Sequence, residues 1–130
     1  MCRNCDAIIE ELWQSLSEGQ TYKTPDIYKG KIFTINFIDY NKIQISPQNI
    51  SIYKKAFSVT LHYLIENDRN GHNPIEIRSN DDPEKSGPLC FEARRHNKNI
   101  RCINYILPML CKKDIVGING NRPNKTWILG

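Results

Sequence analysis

The residues best suited to form a chemical site, by type and spacing, are two cysteines near the start of the chain. Cys2 and Cys5 form a Cys-x-x-Cys pair, which is half of a tetrahedral zinc site. No second pair of this kind and no His-x(3–5)-His pair follows, so Cys90 with His72 or His96 would have to complete it. The five cysteines are an odd number, and no secretory signal precedes them. We therefore expect no disulfide framework and no cofactor, with zinc at the cysteine pair as an alternative.

A cluster of carboxylates near residue 82 is the second candidate, and its chemistry would be that of a metal-dependent nuclease. Asp81, Asp82 and Glu84 precede Lys85, and such enzymes use two carboxylates and a lysine to hold Mg²⁺ and water. In those enzymes a strand usually carries the carboxylates, whereas this stretch (SNDDPEKSGP) consists of turn-forming residues. We expect a surface loop and keep the nuclease as an alternative. The sequence contains no phosphate-loop, dinucleotide-binding, zinc-protease or nucleophile-elbow motif.

The basic residues are distributed unevenly along the chain, whose net charge is +4. Residues 1–90 contain ten Lys and Arg against twelve Asp and Glu, a balance of −2. Residues 91–130 contain eight against two, a balance of +6. A positive field concentrated at one end of a protein attracts a polyanion or an acidic partner. The C-terminal third is therefore the part of the chain best suited to bind nucleic acid.

Hydrophobic periodicity indicates the elements that must position these residues. Apolar residues at helical spacing predict helices, and alternating apolar residues predict strands. The predicted elements, in chain order, are a helix over 6–18, a loop over 20–31, a hairpin with strands near 32–38 and 42–46, a helix from Ser51 to Glu66, a short strand over 74–79, a loop over 79–88 and a short helix over 89–96.

The basic third of the chain is predicted to form a helix followed by a hairpin. Apolar residues occupy one face of a helix over 98–112, and basic residues occupy the opposite face. Pro108 lies inside this stretch and cannot donate a backbone hydrogen bond, so we expect a kink or a late helix start. The closing sequence IVGINGNRPNKTWIL (115–129) has two apolar runs on either side of a polar tip, which is typical of a hairpin.

A helix and a hairpin in this order are the recognition helix and wing of a winged helix-turn-helix domain. The helix face turned away from the core enters the major groove, and the hairpin reaches phosphates or the minor groove. Arg101 and Asn104 suit the edges of guanine and adenine, and Arg122 at the hairpin tip suits a narrow minor groove. Other cations suit phosphates. The predicted DNA contacts are Arg94, Arg95, Lys98, Arg101, Asn104, Tyr105, Lys112, Lys113, Arg122 and Lys125.

The stretch 99–129 resembles the C-terminal half of winged-helix DNA-binding domains. It is similar in particular to those attached to bacterial restriction endonucleases, including the methyl-reading domain of an adenine-methylation-dependent enzyme. In such domains the pattern L-x-x-L-x-x-x-x-I-V-x-x-x-G runs from the recognition helix into the wing. These positions are occupied here by Leu107, Leu110, Ile115, Val116 and Gly120. The resemblance implies a non-catalytic reader of duplex DNA whose recognition helix carries the specificity.

We therefore predict one α+β domain over 1–130, with a winged helix-turn-helix-like core and an additional N-terminal helix and β-hairpin. Residues 1–90 supply helix, hairpin and helix, and residues 91–130 supply the recognition helix and wing. The expected function is double-stranded DNA binding, as a specificity or accessory unit of a restriction or mobile-element system or within a larger protein assembly. No apolar run approaches the roughly 20 residues that span a membrane, so we expect a cytoplasmic protein without a membrane partner. The further alternatives are a protein-interaction domain, an RNA binder and an α+β domain without a nucleic-acid role.

Overall fold

The computed structural model describes residues 3–80, 82 and 84–129. Within these residues, helices and short strands form a mixed α+β structure with two antiparallel sheets, which confirms the predicted fold class. The elements, in chain order, are α1 (Arg3–Ser15), β1 (Thr21–Lys23), β2 (Ile32–Ile38), β3 (Lys42–Ser46), β4 (Ile50–Tyr53), α2 (Lys54–Glu66), β5 (Ile75–Glu76), α3 (Pro88–Arg95), α4 (Ile103–Lys112), β6 (Val116–Asn119) and β7 (Lys125–Ile128).

The first sheet is an antiparallel meander in the order β1-β2-β3-β4. Its two central strands are the predicted hairpin, and they have the predicted bounds. Phe33 and Ile35 on β2 and Ile43 and Ile45 on β3 are fully buried. Because side chains alternate between the two faces of a strand, these four residues point to one face and form part of the core.

Two predictions for the segments beside this hairpin are wrong. The loop predicted over 20–31 contains β1, which pairs with β2. Ser51 does not cap the second helix, because it lies in β4, which pairs with β3 and buries Ile52. Helix α2 begins only at Lys54. Both edge strands pair with N–H and C=O groups of the central hairpin. The short sequences of β1 and β4 do not by themselves indicate this pairing.

Helix α1 packs against α2 and ties it to the first sheet. The helix begins and ends three residues earlier than predicted. Trp13 meets Phe57 of α2 edge to face, with ring centroids 5.1 Å apart. Its indole N–H donates to the carbonyl of Asp39, at 2.7 Å, in the turn between β2 and β3. One aromatic residue therefore links two helices and the hairpin turn.

The second sheet has the order β5-β7-β6, so the returning strand of the closing hairpin lies between β6 and β5. The predicted strand over 74–79 is reduced to two residues, while the predicted short helix and the closing hairpin are present. Side chains from α2, α3, α4 and β6 join one buried core. Fully buried examples are Leu61, Leu89, Ile106, Leu110 and Val116.

Helix α4 is shorter than predicted. It begins at Ile103, five residues after the predicted start at Lys98. Lys98 and Asn99 have φ angles of 54° and 61°, in the left-handed region that a right-handed helix excludes. Lys98 and Arg101 therefore lie in the turn before α4, and the prediction that they share its outer face is wrong.

Gly117 on β6 makes room for the indole of Trp127 on β7. The two residues are cross-strand partners, and a Cβ on residue 117 would lie between 2.4 and 2.6 Å from three indole atoms. We expect Gly117→Ala to lower the free energy of unfolding by about 1–3 kcal/mol, because overpacking forces side chains or backbone to shift. Urea denaturation followed by circular dichroism measures this change.

The matched control for this prediction is Gly71→Ala. A Cβ on residue 71 would meet the same indole at 3.8 Å, an ordinary van der Waals distance. We expect this variant to change the free energy of unfolding by less than about 0.5 kcal/mol. Equal losses in the two variants would show that the indole is not held closely against Gly117.

Candidate nucleic-acid interface

A polar cleft of about 580 Å³ opens at the N-terminal end of α4. Four segments of the chain meet there: the connection between β1 and β2, the residues after β5, the start of α4 and the tip of the β6–β7 hairpin. The lining residues are Thr24, Pro25, Asp26, Lys29, Lys31, Ile77, Arg78, Ser79, Arg101, Asn104, Tyr105, Arg122, Pro123 and Asn124. We call this surface the basic cleft.

The basic cleft carries a strong positive charge. Its cations are Lys29, Lys31, Arg78, Arg101 and Arg122, and Asp26 is the carboxylate among the described lining residues. The two lysines, Arg78 and Arg122 are exposed, and Arg101 is half-buried. Cations gathered on one concave surface focus the electric field and favour an anionic ligand.

The hairpin tip is held against the β1–β2 connection. The guanidinium of Arg122 donates from Nε and Nη2 to Oδ2 of Asp26, each at 3.0 Å. The same guanidinium lies 5.6 Å from the ring centroid of Tyr28. The backbone N–H of Ile27 donates to the carbonyl of Gly120 at 3.1 Å, and a Cβ on Gly120 would lie 2.4 Å from the Pro25 carbonyl oxygen. The predicted wing is thus packed on an N-terminal segment.

Asp26 is the residue that organises this contact. Its carboxylate accepts the backbone N–H of Tyr28 at 2.9 Å as well as the bonds from Arg122. The hydrogen bond from Tyr28, followed by the contact with Arg122, lowers the pKa of this carboxyl. Because the pKa is lowered on folding, the contribution to stability is present above the ordinary carboxyl pKa and is lost as pH falls through the lowered value.

The outer face of α4 is narrow. Half of its residues are fully buried, and Tyr105 is engaged edge to face with Phe33 of β2, at 5.2 Å between ring centroids. Pro108 lies inside the helix and gives no N–H to the carbonyl of Asn104. The remaining strip has Asn104 beside the basic cleft and Lys112 at the other end. The polar side chains near α4 that a ligand could contact therefore lie mainly in the basic cleft, and few lie along the outer face of the helix.

The structure brings together some of the predicted DNA contacts and separates others. Lys112 and Lys113 are exposed at the C-terminal end of α4, and Lys125 is half-buried on β7, outside the cleft lining. The predicted contacts that line the basic cleft are Arg101, Asn104, Tyr105 and Arg122.

Two further predicted contacts are engaged with neighbouring side chains. Arg95 pairs with Glu92 on the surface of α3, at 2.9 Å between Nη1 and Oε1. Lys98 places its amino group 5.2 Å from the ring centroid of Tyr53, and its hydrogen bond to Tyr53 raises the pKa of the lysine. Both side chains are exposed, but neither lines the basic cleft.

Arg94 differs from the other predicted DNA contacts because its side chain is buried, with only 5% of the residue exposed. Its Nη1 donates to the carbonyl of Asn80 at 2.8 Å. Its Nε and Nη2 donate to the side-chain and backbone oxygens of Asn99, each at 3.1 Å. A guanidinium with these partners joins two chain segments and is not presented to a phosphate. We therefore assign Arg94 a structural role.

Sequence reasoning did not single out Lys29, Lys31 and Arg78. They lie in the first 90 residues, where the overall charge balance is negative and conceals local groups of cations. The stretch Tyr28-Lys29-Gly30-Lys31, with two lysines around a glycine in a predicted loop, was the available signal. Its proximity to Arg101 and Arg122 depends on how the first sheet packs beside α4.

The structure describes only part of each of the two alternative sites, the cysteine pair and the acidic cluster. Cys5 is disulfide-bonded, which departs from the expectation drawn from the odd number of cysteines. Cys90 is fully buried, and no group of three His, Cys, Asp or Glu suited to a metal ion occurs in the part of the chain that the structure describes. Cys2 lies outside the described residues, as do Asp81 and Pro83 of the acidic cluster. Asp82 accepts the N–H of Glu84 at 3.0 Å within an exposed turn, as expected for a surface loop.

Comparison with known proteins does not extend this description. No protein-family model, curated protein or solved structure matches the chain. Among the residues described, no helix is both long enough and apolar enough to cross a membrane.

Proposed function

We propose that the protein binds double-stranded DNA without catalysis, with the basic cleft as the centre of the contact surface. The convergence of five cations from four chain segments on one concave surface carries this proposal. Each phosphate that a cation neutralises releases condensed counterions, which adds affinity at moderate salt concentration. Among the described lining residues, the carboxylate is that of Asp26, which is paired with Arg122.

A winged-helix core is part of the same proposal. The chain order α2, β5, α3, α4, β6, β7 places a strand after the first of three helices and a hairpin after the third. The early strand pairs with the returning strand of the hairpin. This is the arrangement that a winged helix requires, and it supports the assignment of α4 as the recognition helix and of β6–β7 as the wing. Helix α1 and the first sheet would then be additions to that core.

We infer that most contacts are made with the DNA backbone. The outer strip of α4 offers few side chains to a groove, whereas the cleft cations suit phosphate oxygens. Arg101 in the turn before α4 and Asn104 in its first turn are the residues that we assign to base edges. Because Asp26 holds the guanidinium of Arg122, we assign Arg122 to a phosphate near the hairpin tip and not to insertion into the minor groove. The resemblance of residues 99–129 to domains of restriction endonucleases suggests a specificity or accessory unit acting on cytoplasmic DNA.

The double variant Lys29→Ala/Lys31→Ala tests this proposal. Fluorescence anisotropy with a labelled duplex at several salt concentrations should give a slope of log K against log salt of about −4.5 for the unchanged chain, if five phosphates are neutralised. We expect the double variant to bind roughly 50-fold more weakly at about 0.1 M salt, with a slope smaller by about 2.

Two comparisons sharpen the experiment. Lys42→Ala/Lys55→Ala removes the same charge from residues outside the cleft and should change affinity less than about twofold, because salt screens charges that lie far from the bound duplex. Asp26→Asn keeps an acceptor for the Tyr28 amide but releases Arg122, and should tighten binding by about fivefold to tenfold. The proposal fails if binding is absent at about 50 mM salt, if both double variants lose affinity equally, or if single-stranded DNA or duplex RNA binds as tightly as duplex DNA.

A further inference from the structure

A second concave surface lies at the opposite end of α4 from the basic cleft. This groove of about 800 Å³ runs between α1, the C-terminal end of α2 and the open end of the β6–β7 hairpin. Ile8 and Leu12 of α1 lie one helical turn apart along one side. The other apolar side chains are Ile65, Ile115, Ile128 and Leu129. We call this surface the apolar groove.

Folding leaves part of the apolar groove open to solvent. Ile65 is 38% exposed and Leu129 is 42% exposed, while Ile8, Ile115 and Ile128 are half-buried. Apolar side chains from both helices and the hairpin therefore form one continuous surface. Contiguous exposed apolar surface with a polar rim is characteristic of an interaction site.

The rim of the groove is acidic. Among the described lining residues, Glu11, Asp68 and Asp114 are exposed carboxylates and Lys113 is the cation. None of the three carboxylates forms a salt bridge with another described residue. The charge of this surface is thus opposite to that of the basic cleft, and the two surfaces are suited to different ligands.

We propose that the apolar groove binds a basic amphipathic helix of a partner protein. An apolar groove accepts the stripe of such a helix through residues at positions i, i+3, i+4 and i+7. Lysines and arginines beside that stripe would meet the rim carboxylates, and the opposite potentials would favour encounter and fix the orientation. The two surfaces lie towards opposite ends of α4, which is about 15 Å long for ten residues. This inference does not depend on DNA binding.

Three synthetic peptides test the chemistry of the proposed ligand on the full chain. The first is a labelled peptide with leucines at helical spacing and lysines at its other positions. The second keeps the leucines and has glutamates in place of the lysines, and the third has the composition of the first in an order without a stripe. By fluorescence anisotropy we expect the first peptide to bind at least about tenfold more tightly than either of the others.

Variants locate the binding on the groove. Ile65→Ser removes an apolar contact at an exposed position and should weaken binding of the first peptide about tenfold. Glu11→Lys reverses a rim charge and should weaken it about threefold to tenfold. Glu18→Lys makes the same charge change outside the groove and should have no effect; circular dichroism checks that each variant is folded.

Three results would overturn the proposal. The first is equal binding of the lysine and glutamate peptides, or no binding of either. The second is binding of the lysine peptide that is insensitive to both Ile65→Ser and Glu11→Lys. The third is a dimer seen by sedimentation equilibrium that Ile65→Ser dissociates, because the groove would then be occupied by a second copy of the chain.

Discussion

Asn97→Ala is expected to lower the free energy of unfolding by about 3–5 kcal/mol, because truncation removes three hydrogen bonds made by a fully buried side chain. Asn97 has no exposed surface. Its Oδ1 accepts the backbone N–H of Tyr53 at 2.8 Å, and its Nδ2 donates to the carbonyls of Ser51 and Ile100 at 3.1 and 3.3 Å. One side chain thus holds the turn before α4 against β4.

Urea denaturation of Asn97→Ala can be compared with that of Asn67→Ala. Asn67 also donates from its side chain to a carbonyl, that of Tyr63 at 2.9 Å, but it is exposed at the end of α2. Water can replace that bond, so we expect a loss of no more than about 1 kcal/mol. Similar losses in the two variants would contradict the role assigned to Asn97.

Arg94→Met is expected to lower the free energy of unfolding by a similar amount, about 3–5 kcal/mol, because it removes three hydrogen bonds that a nearly buried charged group donates, and bonds of that kind contribute about 1.5–3 kcal/mol each. Methionine retains much of the length of the side chain but none of the donors to Asn80 and Asn99. Arg94→Lys should give an intermediate loss, since an ammonium group cannot reproduce the forked geometry. Thermal unfolding and urea denaturation measure both effects.

Arg95→Met is the matched control for Arg94→Met. The two arginines are adjacent on α3, but Arg95 is exposed and makes a surface pair with Glu92. Exposed pairs of this kind contribute at most about 1 kcal/mol. A larger loss in Arg95→Met than in Arg94→Met would invalidate the structural role of Arg94.

The adjacent arginines also mark how far the site could be predicted from sequence. Both were expected to contact DNA because both belong to the basic third of the chain. A helix turns by about 100° per residue, so neighbours in sequence point in different directions, and only the packing of α3 decides which one is buried. The left-handed φ angles of Lys98 and Asn99 also depend on tertiary packing. The buried side chain of Asn97 donates to the carbonyls of Ser51 in β4 and of Ile100, and it thereby holds the turn that contains them.

The strands and helices were predictable to the extent that their own residues carry the information. The hairpin strands over 32–38 and 42–46 have the predicted bounds, because period-two alternation requires one buried face. The edge strands β1 and β4 were missed, because a short edge strand depends on the groups that its neighbour leaves unpaired. Ser51 illustrates this, since a residue type that favours helix caps lies in a strand where β3 offers a partner.

By itself, the sequence determined the α+β class, the central hairpin, the closing hairpin and the positive balance of the C-terminal third, since periodicity and charge are local properties of the chain. The tertiary structure decided which charges share a surface. It placed Lys29, Lys31 and Arg78 beside Arg101 and Arg122, buried Arg94, and held the closing hairpin through Asp26. Contacts between residues nearly 100 positions apart arise only when distant elements bury their apolar faces together.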